Sequence, residues 1–132
     1  MSTHIVPIAL PSVANLREHW ATKAKRAKAQ RSAVLLALPA RKLAAERNWL
    51  AINGKVVVHL VRAAPRRLDS DNLARAFKAV RDQVAAQLGL ASDADPRVAW
   101  LYEQERGLLL GTVVCVELEC VPADTTTMQV PF

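Results

Sequence analysis

Four aspartates are the side chains of this sequence best suited to chemistry. Asp69 and Asp71 lie two residues apart before a stretch of helical composition, and Asp93 and Asp95 lie in a later loop. Side chains two apart in an extended segment point to the same side, so the first pair places two like charges together. Helix capping requires only one of them. Because Mg²⁺ binds a few carboxylates together with waters and phosphate oxygens, the aspartates indicate a divalent-cation site.

A helix predicted from Asp71 to Leu88, with Ser70 or Asp71 as its cap, must position these groups. At about 100° per residue, its charged side chains form one narrow stripe: Asp71, Arg75, Lys78 and Asp82. Its apolar side chains form the opposite face: Leu73, Phe77, Val80, Val84 and Leu88. One interpretation of the stripe is a solvated face with ion pairs worth a few tenths of a kcal/mol each. The other is that Arg75 or Lys78 reaches the carboxylate site.

The charge of the chain is divided unevenly along its length. The net charge is +6, yet residues 1–68 carry 13 Lys and Arg against 2 acids, and residues 69–132 carry 5 against 10. A basic surface suits a polyanion because it displaces counterions from phosphates. Metal-dependent chemistry on nucleic acid would account for both the basic first half and the acidic second half of the chain. The alternative is that the charge only keeps a small domain soluble.

The predicted elements follow the order β-α(α)-β-α-β-β in a single domain, residues 1–132, with an irregular tail from about residue 122. Lys55–Val61 is predicted as a central strand, and the last two strands, Val98–Glu105 and Thr112–Val121, as a hairpin. The expected fold class is α+β, a small mixed β-sheet packed by helices. No run approaches the ~20 apolar residues that span a bilayer. With no signal peptide recognisable in Met1–Leu10, a cytoplasmic location without membrane contact is expected.

These residues, in this order, resemble the RusA-type Holliday-junction resolvases, especially their phage and prophage relatives. Asp69-Ser70-Asp71-Asn72-Leu73 matches the family's D-x-D-N-L motif. Lys78, Asp82 and the acidic loop that follows Leu88-Gly89 come next. Leu10-Pro11-Ser12 with Asn15, and Trp100-x-Tyr102-x-Gln104, extend the similarity over most of the chain.

The chain departs from the family pattern at two positions. Arg75 stands where the family has a lysine three residues after the asparagine, and Ser92-Asp93 stands in place of an Asp-Asp pair. Lys78 keeps the family's spacing of four to Asp82, so the resemblance favours Lys78 as the family's lysine, with Arg75 as the alternative. Asp93 corresponds to the second aspartate of the pair, and Asp95 is an additional carboxylate.

The resemblance implies a Mg²⁺-dependent endodeoxyribonuclease that cuts branched or four-way-junction DNA as a homodimer, in recombination and repair. Asp69, Asp71 and Asp93 would hold Mg²⁺, with Mn²⁺ as a substitute, and Lys78 would stabilise charge on the phosphoryl oxygens. Three further polar residues would orient these groups without binding the metal ion themselves: Asn72, Asp82 and Asp95.

Backbone contacts to DNA are expected from a basic helix, predicted from about Asn15 to Leu38, and from arginines near the site. The predicted contacts are Lys23, Lys25, Arg26, Lys28, Arg31, Arg66, Arg67 and Arg75. Such contacts position DNA without reading its sequence. The alternative function is a non-catalytic DNA-binding protein that keeps the RusA-like fold.

Overall fold

Four strands and four α-helices make up the described part of the chain, which in this computed structural model comprises residues 2–8, 20–106 and 113–122. The strands are β1 (Ser2–Val6), β2 (Lys55–Ala64), β3 (Val98–Arg106) and β4 (Val113–Val121). The helices are α1 (Trp20–Ala37), α2 (Ala44–Ala51), α3 (Ser70–Ala76) and α4 (Lys78–Gln87), with a 3-10 helix (Ala40–Leu43) before α2. The predicted α+β class is confirmed. The Leu10-Pro11-Ser12 and Asn15 similarities, and the predicted tail after residue 122, lie outside the described residues.

The strands form one mixed sheet in the order β1-β4-β2-β3. Val56, Val58 and Leu60 of β2 are fully buried, as expected for a β-branched and aliphatic strand in the interior of a sheet. β2 pairs with β3 in parallel and with β4 antiparallel. The prediction of a central strand here is confirmed.

The predicted hairpin between the last two strands is wrong, because β3 and β4 lie on opposite sides of β2. Helices α3 and α4 connect β2 to β3, and a helical crossover of this kind brings the next strand back in parallel. β4 then pairs with the other side of β2 and with β1, antiparallel to both.

The predicted single helix from Asp71 to Leu88 is interrupted at Phe77. This residue has φ −83° and ψ −1° and separates α3 from α4. Its amide reaches the carbonyl of Leu73 at a long 3.3 Å, and its fully buried ring stacks on Tyr102 with centroids 5.8 Å apart. Helical direction continues through the interruption, because the Arg81 amide bonds the Phe77 carbonyl at 2.8 Å. All five predicted apolar side chains are therefore buried: Leu73, Phe77, Val80, Val84 and Leu88.

The helices cover one face of the sheet, where the buried side chains of the strands meet those of the helices in a single apolar cluster. On the other face, His59 of β2 lies between two carboxylates, 3.4 Å from Glu103 of β3 and 3.7 Å from Glu117 of β4. Among the described helices, none has the length and apolar character needed to cross a membrane.

Candidate functional site

The first two aspartates lie at the N-terminus of α3. Asp69 is the N-cap: its backbone is extended, and its Oδ1 accepts a hydrogen bond from the Asn72 amide at 2.9 Å. The sequence had pointed to Ser70 or Asp71 as the cap. Asp71 lies in the first helical turn and is exposed, and its carboxylate has no ion pair or hydrogen bond with the residues described. Asp71 and one oxygen of Asp69 are therefore available to a ligand.

Strand β3 fixes the loop that leads to this pair. The Gln104 side chain accepts a hydrogen bond from the Leu68 amide at 2.8 Å and donates one to the Leu68 carbonyl at 2.6 Å. The buried Arg62 of β2 also holds this loop, because it donates a hydrogen bond to the Arg66 carbonyl at 2.7 Å. Asp69 thus begins α3 from an anchored segment.

Lys78 and Asp82, which the sequence placed in one stripe with Asp71, form an ion-pair network with Asp93. Lys78 Nζ lies 2.9 Å from Asp82 Oδ1 and 3.2 Å from Asp93 Oδ2. Asp82 also reaches Arg31 of α1 at 3.4 Å. The hydrogen bonds to Asp82 and then to Asp93 raise the pKa of Lys78 above its usual value. The lysine is fully charged at neutral pH, and two carboxylates already share that charge.

Arg81 belongs to this network, although the sequence did not point to it. Its Nε donates to Asp93 Oδ2, and its Nη1 donates to the hydroxyl of Tyr102. The Trp100 indole donates to the Asp93 carbonyl at 2.9 Å. Burial acts to raise the pKa of Asp93, but the hydrogen bonds from Lys78 and Arg81 outweigh it and hold that pKa below its usual value. Asp93 is therefore a charged group held by two cations.

Asp95 lies in the turn before β3, where it pairs with Arg97. The Arg97 Nη2 lies 2.9 Å from Asp95 Oδ2, and the Arg97 amide donates to Oδ1 at 2.9 Å. Arg97 also donates to the carbonyl of Leu50 at 2.9 Å. In this arrangement the Asp95 side chain stabilises a turn, and its described hydrogen bonds and ion pair go to Arg97 alone.

The described residues assemble no group of three or more His, Cys, Asp or Glu side chains that could hold a metal ion. Asp71 and Lys78 are seven helical positions apart, about 10 Å along the axis, and Asp93 contacts Lys78. The Asp69 and Asp71 pair still suits Mg²⁺ chemically, because this ion binds through one or two carboxylates, waters and substrate phosphates.

A cavity of about 470 Å³ lies between α1 and the α3–α4 segment. We call it the basic groove. The charged residues that line it are Lys23, Arg26, Arg31, Arg75, Lys78, Arg81 and Asp82. Among the described residues, six cations and one carboxylate line it, so the groove is positively charged. Its position on α3 places it next to Asp71, one helical turn before Arg75.

The structure brings four of the eight predicted DNA contacts into the basic groove: Lys23, Arg26, Arg31 and Arg75. The other four are exposed outside it: Lys25, Lys28, Arg66 and Arg67. Lys23 and Arg75 form no ion pair with any described residue, whereas Lys78 is paired twice. Of the two candidate cations on the stripe, Lys78 has two carboxylate partners and Arg75 has none within the described part of the chain.

No family model matches the chain, and no curated protein sequence matches it. Among solved structures, a 2C-methyl-D-erythritol-2,4-cyclodiphosphate synthase is similar to it, with 21% identity and a TM-score of 0.29. The match covers 68% of this chain and 72% of that chain. A TM-score of this size is too low to indicate a shared fold or function.

Proposed function

We propose that the protein is a Mg²⁺-dependent endodeoxyribonuclease that cuts the backbone of branched DNA, as its resemblance to RusA-type resolvases implies. One observation carries the proposal: helix α3 carries the Asp71 carboxylate, which has no partner among the described residues, and also lines the six-cation basic groove. A groove of this charge binds phosphates, and a neighbouring carboxylate pair supplies metal ligands. A cytoplasmic location and Mn²⁺ as a substitute metal belong to the same proposal.

Asp69 and Asp71 would hold the metal ion, which when bound polarises a phosphate and lowers the pKa of water. The chain's own residues fix where this chemistry takes place. The capping hydrogen bond fixes Asp69 at the start of α3. The Gln104 hydrogen bonds fix the preceding residue, Leu68, to β3. Asn72 contributes its amide to that cap, so it orients Asp69 through the backbone.

The cations of the groove would bind and orient the phosphates on either side of the cut. Arg75 has no carboxylate partner among the described residues, so it can donate its hydrogen bonds to a phosphate without breaking an ion pair. Lys78 can bind a phosphate only by weakening its ion pairs with Asp82 and Asp93. Asp93 then acts by positioning Lys78 and Arg81, which differs from the ligand role that its sequence position suggests.

A non-catalytic DNA-binding protein is the second candidate. The observation that favours it is the engagement of Asp93 by Lys78 and Arg81, which leaves two carboxylates for a metal where the family resemblance implies three. The two candidates share the basic groove and differ in cleavage alone.

Cleavage of a synthetic four-way junction in Mg²⁺ by the parent and by Asp71→Asn tests the proposal. The fold should survive the substitution, because Asp69 supplies the cap. Cleavage should fall by about 100-fold or more, because the ion loses a direct ligand. Junction affinity should hold or rise, since one negative charge is removed next to the phosphates.

The matched control is Glu119→Gln, which removes an exposed carboxylate from β4 and should cleave like the parent. Cleavage by Asp71→Asn within a few-fold of the parent would contradict the proposed site. A parent that binds junctions tightly and leaves them intact in Mg²⁺ and in Mn²⁺ would establish the non-catalytic alternative.

A further inference from the structure

An exposed tryptophan lies at the start of the basic helix. Trp20 is the first residue of α1, and 75% of its surface is accessible. Helix α1 carries five cations and no acid over its 18 residues. With three quarters of its surface accessible, a side chain of this size on a basic helix leaves a large apolar surface next to water.

Trp20 shares a helix face with residues that line the basic groove. At about 100° per residue, Ala27 and Arg31 lie within about 20° of Trp20 around the helix axis. Lys23 lies one turn after Trp20, and all three of these residues line the groove. The indole ring therefore stands at the end of a row that continues into the cavity.

The groove combines cationic groups with small apolar side chains. Its volume of about 470 Å³ falls in the roughly 300–1,000 Å³ range of small-molecule sites. Four alanines contribute to its lining: Ala27, Ala74, Ala76 and Ala79. Small side chains leave room for a flat or compact group, and the surrounding cations suit a phosphate.

We infer that Trp20 and the basic groove together bind a single-stranded segment, with one unpaired base stacked on the Trp20 ring and successive phosphates at Lys23, Arg31 and Arg75. The inference rests on the proposed binding of DNA and makes it more specific. In a duplex, both faces of each base are covered by its neighbours, so an indole ring can stack only where a base is unstacked. Branch points and single strands provide such bases.

Binding of a short oligothymidylate, about 12 nucleotides long, tests the inference in EDTA, where metal-dependent cleavage cannot occur. Its affinity for the full chain is compared with that of a duplex of equal length at one salt concentration. Trp20→Ala should weaken oligothymidylate binding about tenfold or more and leave duplex binding within about twofold. Trp20→Phe keeps a ring and should recover most of the loss.

Leu36→Ala is the matched control, because Leu36 is an exposed apolar residue of α1, 81% accessible, on the side of the helix away from Trp20. It should leave both affinities unchanged. Circular dichroism and thermal unfolding of each variant confirm that the fold is intact. Polyglutamate of similar length serves as the competing ligand, since an acidic peptide is the other partner that a cationic groove could accept.

Equal losses of oligothymidylate and duplex affinity in Trp20→Ala, or no loss of either, would overturn the inference. Polyglutamate binding as tight as oligothymidylate binding would also overturn it, in favour of an acidic peptide. If the parent protein cleaves junctions and Trp20→Ala binds oligothymidylate normally, the Trp20 site is refuted and the nuclease proposal stands. If Trp20→Ala loses oligothymidylate binding and the parent protein cleaves no junction, the Trp20 site is supported and the nuclease proposal is refuted.

Discussion

The side-chain amide of Gln104 closes two hydrogen bonds on the backbone of Leu68, accepting from the amide at 2.8 Å and donating to the carbonyl at 2.6 Å. Gln104 lies on an edge strand, and Leu68 directly precedes Asp69. One half-buried side chain thus fixes the backbone that delivers the first carboxylate of the proposed site.

Gln104→Met keeps the length of this side chain and removes both hydrogen bonds. We expect it to lower the free energy of unfolding by about 1–2 kcal/mol, as measured by urea denaturation, and to reduce junction cleavage because Asp69 loses its support. Gln83→Met is the control, since it removes one bond to Gln87 on α4. Unchanged cleavage in Gln104→Met would show that the loop needs no support from β3.

Arg75 and Lys78 should differ in their contributions to DNA binding. Arg75→Gln removes a cation that has no described ion-pair partner, so the slope of log affinity against log salt should become shallower by about 0.9. Lys78→Gln removes a charge that two carboxylates already share, and the slope should change less. Titration of a duplex over a range of salt concentrations measures both slopes. A larger change for Lys78→Gln would reverse the assignment.

The Asp95–Arg97 pair should give a measurable acid dependence of stability. Hydrogen bonds from the Arg97 side chain and backbone lower the pKa of Asp95 from 3.8 to about 2. A folded-state pKa below the unfolded value stabilises the protein above the unfolded pKa, and this contribution disappears as pH falls from about 4 to about 2. Asp95→Asn should therefore unfold at lower urea at neutral pH and lose stability less steeply over that window. Curves for Asp95→Asn and the parent that stay parallel down to pH 2 would contradict this.

We expect the active species to be a homodimer. Symmetric resolution of a junction requires two cuts in opposing strands, and a twofold pair of chains supplies two identical sites. Sedimentation equilibrium at the concentration of the cleavage assay measures the species present. A single monomeric species that resolves junctions would exclude this arrangement.

Local periodicity in the sequence predicted most of the elements, and pairing between distant elements was harder to predict. The apolar face of the helical segment and the interior position of β2 follow from side-chain spacing, and both are confirmed. The hairpin prediction was wrong. The sequence between β3 and β4 is compatible with a tight turn, but it does not reveal that these strands pair with opposite sides of β2. The break at Phe77 depends on a ring contact with Tyr102, 25 positions away.

In the candidate site, too, local features could be predicted from the sequence and contacts between distant residues could not. Asp69, Asp71 and the basic residues of α1 could be identified from composition and spacing. Arg81 could not, because its partners Asp93 and Tyr102 lie 12 and 21 positions further along the chain. Its signal was only a charged residue beside the predicted stripe.

The position of β4 in the sheet has a kinetic consequence. It is the last described element along the chain, yet it lies between β1 and β2 and joins them. A ribosome must therefore release residues 113–121 before β1 can enter the sheet, and until then the pairing edge of β2 stays open. Contacts this distant in sequence close slowly. Nascent chains that have not yet acquired β4 should be the aggregation-prone species during synthesis.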